Sequence, residues 1–138
     1  MNILLGLITM AICLVLQASL ASVAIRYYGR RDAKIADGGP FATLSVIIGV
    51  MVLLLVGIFA QIGIWAGLFV GLNEFDEFAD AFYHSAVNFA TLDYGDIVMS
   101  EAHRILGPLQ AVNGVLMIGV ATAVLMAAFQ DAFKKRGR

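Results

Sequence analysis

Three apolar runs without a single charged residue dictate what this chain can fold into. Ile3 to Ile25, Ala42 to Leu72 and Ile105 to Gln130 hold 23, 31 and 26 residues, and about 20 apolar residues suffice to cross the ~30 Å hydrocarbon core of a bilayer. In lipid each backbone N–H and C=O must be satisfied within its own segment, so the runs predict three membrane-spanning helices. At about 1.5 Å per residue the second would reach roughly 46 Å, and it tilts or projects beyond the hydrocarbon. Pro108 falls in the opening turn of the third run, where a missing N–H does least harm. The 61% hydrophobic content and mean hydropathy of +0.89 agree with a bilayer as solvent. At 138 residues the chain is read as one small domain without a separate sensor or enzyme module. Cys13, the single cysteine, lies inside the first run and reads as a small packing residue.

Between the second and third runs lies a piece too short to span and too apolar for an ordinary loop. In Glu77 to Asp96, Phe78, Phe82, Ser85, Ala86 and Phe89 recur at helical spacing over three turns, and Asn73, Glu74 and Asp76 offer helix-start chemistry before them. The spacing predicts a short helix ending near Ala90, roughly 18 Å long, half a bilayer. The non-helical stretch after it, Thr91 to Gly95, is tolerable at membrane depth only when buried in protein or lining water.

Charge placement predicts the orientation. Arg26, Arg30, Arg31 and Lys34 follow the first run, and Lys134, Lys135, Arg136 and Arg138 follow the third. Between the second and third runs Arg104 is the lone base, against Glu74, Asp76, Glu77, Asp80, Asp93, Asp96 and Glu101. The positive-inside rule puts the N-terminus outside and the C-terminus in the cytoplasm. A cleaved signal peptide is disfavoured for the first run, which lacks a basic leader and whose removal would invert the two later spans against the charge rule.

A half-membrane helix with its C-terminal end pointing inward carries about half a negative charge there, and the following backbone exposes carbonyls; both attract a cation. Several copies around an axis would line a narrow path with carbonyls that replace an ion's hydration shell. One copy encloses nothing, so the reading requires an oligomer.

The stretch "ATLDYGD", Ala90 to Asp96, resembles the selectivity filter of potassium channels, usually Thr-Val-Gly-Tyr-Gly followed by Asp, and the flanking helices agree. The resemblance covers about Ala42 to Gln130. It implies an all-α membrane protein with three transmembrane helices, a re-entrant pore helix and a filter loop, assembled as a homotetrameric pore. Residues 1–27 form an extra N-terminal helix, 28–41 a cytoplasmic loop, 42–133 the pore domain and 134–138 a basic tail. By resemblance, Thr91, Leu92, Asp93 and Tyr94 present carbonyls to K⁺, with the Thr91 hydroxyl closing the innermost site and Gly95 permitting the last turn. Asp96 is the mouth aspartate, Tyr83 its aromatic partner, and His84 a candidate partner for the Tyr94 hydroxyl; for His84, satisfaction by water or backbone stays open. No cofactor is implied beyond the permeant ion, K⁺ or else Na⁺ or a divalent cation.

Asp93 departs from the family pattern, since it replaces a glycine that commonly needs φ > 0. That conformation costs an ordinary residue roughly 1–2 kcal/mol, and Asp is among the better-tolerated exceptions. Three outcomes are open: a preserved backbone path with the carboxylate behind the filter, a ring of carboxylates in the conduit that weakens K⁺ preference, or a collapsed, non-conducting filter in a structural or transporter subunit.

Other features carry simpler readings. Gly63, Gly67 and Gly71 form a small-residue seam for close helix packing against the first or third span. Gly114 and Gly119 sit where inner-helix hinges occur in the family, with packing against the pore helix as the alternative. Asn113, Met117 and Ala121 face a water-filled cavity below the filter or, for Asn113, make an interhelical hydrogen bond. Tyr27, Tyr28 and Trp65 read as interface anchors. Lys134, Lys135, Arg136 and Arg138 are a candidate contact for anionic lipid. No span carries repeated arginines, so no voltage sensor is indicated. Ser85, Ser100, His84 and His103 stand in no catalytic motif, so no enzyme is expected. Nor is nucleic-acid binding. The expected location is a plasma or inner membrane.

Overall fold

In the computed structural model the described residues are 1–31, 35 and 38–136, without the side chain of Arg136. Lys34 and Arg138, named above for their charge, lie outside them. The described residues include four long or well-defined helices: α1 (Asn2–Gly29), α2 (Gly39–Gly71), α3 (Phe78–Phe89) and α4 (Leu106–Arg136). No strand occurs among the described residues. α1, α2 and α4 are each long and apolar enough to cross a membrane, and the 12 residues of α3 reach only about 18 Å. The fold is therefore all-α with three spans and one half-membrane helix. Residues 134–136, assigned above to a tail, continue α4.

Local sequence explains the helix ends. α2 opens with Pro40 in its first turn, where its fixed φ suits a helix start. It closes with Asn73 at φ +54, while the Asn73 N–H donates to the Val70 carbonyl (2.9 Å) and the Glu74 N–H to Phe69 (3.1 Å). That bond pair is the Schellman cap, which needs one left-handed residue and here uses Asn. Asn73 and Glu74 thus end α2 rather than starting α3. The N-cap of α3 is Glu77, without a side-chain capping bond, and Asp80 supplies the acid of its first turn.

α1 packs along both α2 and α4. Its inward stripe, Gly6, Thr9, Cys13, Gln17, Ala21 and Ala24, is small or polar, which allows close approach where no hydrophobic drive exists between lipid-like surfaces. A Cβ at Gly57 of α2 would sit 2.5 Å from Leu20, and one at Gly49 would sit 2.6 Å from the Tyr27 hydroxyl. These glycines form the seam with α1. The expected seam at Gly63, Gly67 and Gly71 is not used that way: Gly63 faces Phe82 of α3 at 3.9 Å, and Gly67 and Gly71 have no neighbour within 4 Å. Part-way along the two helices, Gln61 Nε2 donates to Gln17 Oε1 at 2.8 Å, both side chains being buried. Trp65 is fully buried against Phe69, so it is a core residue and not an interface anchor. Tyr27 and Tyr28 are half-buried, with Arg31 and Lys135 over their rings at 5.3 and 5.4 Å.

Candidate functional site: a short helix and the returning limb after it

α3 is fixed between the spans by buried polar contacts. Ser85 Oγ donates to the Ile62 carbonyl of α2 at 2.7 Å and accepts from Gln110 Nε2 of α4 at 2.5 Å. Gln110 also donates to the Ser85 carbonyl at 3.0 Å. Hydrogen bonds are costly to leave unmade in an apolar interior, so this cluster fixes both depth and rotation of α3. Below it Phe89 packs on Ile62 and Met117. A Cβ at Gly114 would collide with the Phe89 carbonyl oxygen, so this glycine lets α4 cross directly under the end of α3. Gly119, by contrast, has open space around it.

α3 ends in a second Schellman cap. The Thr91 N–H donates to Asn88 and the Leu92 N–H to Val87, each at 3.0 Å, with Thr91 at φ +58. Positive φ then recurs at Asp93 (+45) and Gly95 (+70), whereas Leu92 and Tyr94 keep negative values. From Thr91 to Gly95 the sign of φ therefore alternates from residue to residue. The segment is uncovered within one chain: residues 91–96 are all exposed, Leu92 by 53% and Tyr94 by 65%. Asp93 borders a cavity of about 400 Å³ between α3 and the start of α4, together with Asn88, Thr91 and Arg104.

The returning limb is held from behind. Tyr83 Oη donates to Asp96 Oδ2 at 2.8 Å, and the Ile97 N–H to Asp96 Oδ1 at 3.1 Å. The Tyr83 hydroxyl is the main cause holding the Asp96 carboxyl below its usual range. The structure brings these two expected residues together. It does not pair His84 with Tyr94: Asn88 Nδ2 donates to His84 Nε2, and His84 Nδ1–H donates to the Ile97 carbonyl, both at 2.9 Å. This tautomer is neutral. Burial against Phe69 and Phe75 lowers the His84 pKa in the same sense.

Asn113 does not face a cavity. It is fully buried, with its side chain against Cys13 of α1, an interhelical contact. Met117 and Ala121 share that inward face. The open side of α4 instead carries Val115, Ile118, Thr122 and Met126. Of the basic residues read as a lipid contact, Lys134 is exposed and Lys135 is engaged with Asp131 at 2.6 Å. Sequence reasoning passed over Ser85 and Gln110 as supports, although an uncharged polar residue inside an apolar span was the available signal. It also passed over Asn88, one helical turn from its partner His84, and over the contacts of the Glu74 carboxylate with Ser100 and His103, which are distant in sequence.

A half-membrane helix, an alternating backbone beyond it and two flanking spans form one continuous unit. A family model described as ion channel, Ion_trans_2, matches residues 51–131, more than half of the chain and the part that contains this unit. No curated protein and no solved structure matches. α1 precedes the matched segment and is joined to it by the Gln17–Gln61 pair and the glycine seam. The chain is an integral membrane protein of the ion-channel family.

Proposed function

We propose that four copies assemble around an axis and conduct cations passively, with K⁺ favoured. The observation that carries this reading is the alternation of φ from Thr91 to Gly95 on an exposed segment at the end of α3. Repeated fourfold, such a segment would stack its carbonyls into successive rings of the kind that replace an ion's hydration shell. In this reading the Thr91 hydroxyl closes the inner end, the Tyr83–Asp96 pair braces the outer end, and Val115, Ile118, Thr122 and Met126 line the path below. The N-terminus and the hairpin mouth face outward and the basic end of α4 faces the cytoplasm of a plasma or inner membrane. Lys134 there is a contact for anionic lipid.

Asp93 supports K⁺ preference in this reading, because it holds a left-handed conformation that the replaced glycine would adopt and borders the cavity behind the segment. A second reading, a broader cation pathway with four carboxylates at the conduit, draws on the exposure of Asp93 in the single chain. The test is the reversal potential of the purified protein in planar bilayers under opposing K⁺ and Na⁺ gradients, beside Asp93→Gly. Strong K⁺ preference in the wild type is expected. An unselective wild type that gains K⁺ preference on Asp93→Gly would establish the second reading, and absence of any cation flux would sink both.

A further inference from the structure

The limb between the filter and α4 is held at a third place, from the α2 side. Glu74 is the residue whose N–H completes the cap of α2, so its backbone is fixed independently of its side chain. That side chain is 6% exposed. Oε2 accepts from the Ser100 N–H at 2.7 Å, and Oε1 accepts from the Ser100 hydroxyl at 2.5 Å and meets His103 Nδ1. The gripped turn is itself closed, since the His103 and Arg104 N–H groups donate to the Ser100 carbonyl at 3.2 and 3.0 Å, and it leads straight into α4. From the far side, Asn2 at the head of α1 donates to the Ala102 carbonyl. A carboxylate with several donors and little water makes hydrogen bonds roughly twice as strong as neutral ones.

We propose that ionised Glu74 is a positioning residue for the ion pathway: it latches the returning limb of the hairpin to the end of α2, and through that limb sets the outer end of the filter. This rests on the pore reading above. Burial alone would raise the Glu74 pKa, but the Ser100 hydroxyl, His103 and the Ser100 N–H together outweigh it and hold the carboxyl below its usual value. A depressed folded pKa means that the latch is in full force above the ordinary carboxylate range and is lost as pH falls through the depressed value. The groups facing Glu74 are His103 from the turn and His84 from α3, which senses its charge. α1 meets the turn with the uncharged Asn2 amide, and the turn also carries Glu101 and Arg104.

The experiment compares wild type with Glu74→Gln in liposomes, reading cation current and amide hydrogen exchange of the 97–104 peptide across pH 3–7. At neutral pH Glu74→Gln is expected to pass about tenfold less current and to exchange about tenfold faster, the scale of one lost charge-assisted bond. Because intrinsic exchange is the same in both proteins at each pH, their ratio isolates the latch, and it should fall to one in acid. A ratio that is near one throughout, or independent of pH, overturns the latch. A pH-dependent ratio with unchanged current overturns its role in positioning the pathway. If the wild type passes no current, the pore reading fails while the exchange ratio still decides the latch. Should Glu74→Gln not assemble, Ser100→Ala removes the hydroxyl bond alone, and its ratio, read from the amides of residues 102–104 whose intrinsic exchange is unchanged, is expected to show the same acid dependence at about threefold.

Discussion

The C-terminal ends of α2 and α3 are closed by the same pair of backbone bonds, yet with residues of opposite aptitude. Asn73 takes the left-handed position after α2 at φ +54, and Thr91 takes it after α3 at φ +58. Asparagine tolerates this region, whereas a β-branched residue is an outlier there, at a cost of roughly 1–2 kcal/mol. The α2 turn then leads into a loop, while the α3 turn begins a run in which positive φ recurs at Asp93 and Gly95. A turn that only reverses the chain uses the residue that turns most easily. After α3 a β-branched residue holds that position instead, and strain of this kind gathers at functional segments.

The largest test concerns what supports the strained end. Gly114→Ala should destabilise the assembled protein by about 3 kcal/mol or more, because the new methyl meets backbone rather than a flexible side chain. Gly119→Ala, in open space, should leave thermal stability and flux near wild type. Equal effects at both glycines would remove the claim that α4 seats α3 through Gly114. Next, Asn73→Val should cost about 1–2 kcal/mol without altering ion preference, whereas Thr91→Gly should relieve about 1 kcal/mol of strain and weaken K⁺ preference in the reversal potential. If Thr91→Gly leaves preference intact, the two caps are equivalent and the comparison fails.

A subtler effect is expected at the mouth. The Asp96 carboxyl is held low chiefly by the Tyr83 hydroxyl, so its bonds are present above the ordinary carboxylate range and are lost as pH falls through the lowered value. Tyr83→Phe should shift the acid limb of the conductance–pH curve upward; an unmoved limb would show that the pair does not brace the filter. Smallest of all, Gly67→Ala should change subunit stability by no more than about 0.5 kcal/mol, since nothing lies within 4 Å. A large loss of oligomer in that variant would mark this face as an intersubunit contact.

The spans were legible because an apolar run of that length without charge fits little besides a membrane-crossing helix, and α3 because its aromatic residues keep helical spacing over three turns. The Tyr83–Asp96 approach was legible through a motif that covers both partners. What failed was rotation. A spanning helix is apolar toward lipid and toward protein alike, so the phase of α4 could not be read, and Asn113, Met117 and Ala121 turned inward instead of toward a cavity. Small residues on α2 likewise announced close packing without saying which of them meets a neighbour: Gly49 and Gly57 do, while Gly67 and Gly71 do not within the chain. Glu74 suited a helix start by position, but its partners lie 26 and 29 residues away, beyond any local pattern.

The buried contacts of Ser85 also bear on how the chain enters its membrane. α1 and α2 can insert as a hairpin, joined by the Gln17–Gln61 bond and their glycine seam. α3 is too short to cross alone, and the non-helical backbone after it cannot lie in hydrocarbon unaccompanied. One of its two buried polar anchors, the Ile62 carbonyl, is supplied by α2, but the other, Gln110, belongs to α4. During synthesis the segment therefore waits at the membrane surface until α4 arrives, and a chain interrupted before Gln110 would hold its first two helices in the bilayer with α3 and the loop after it still in water.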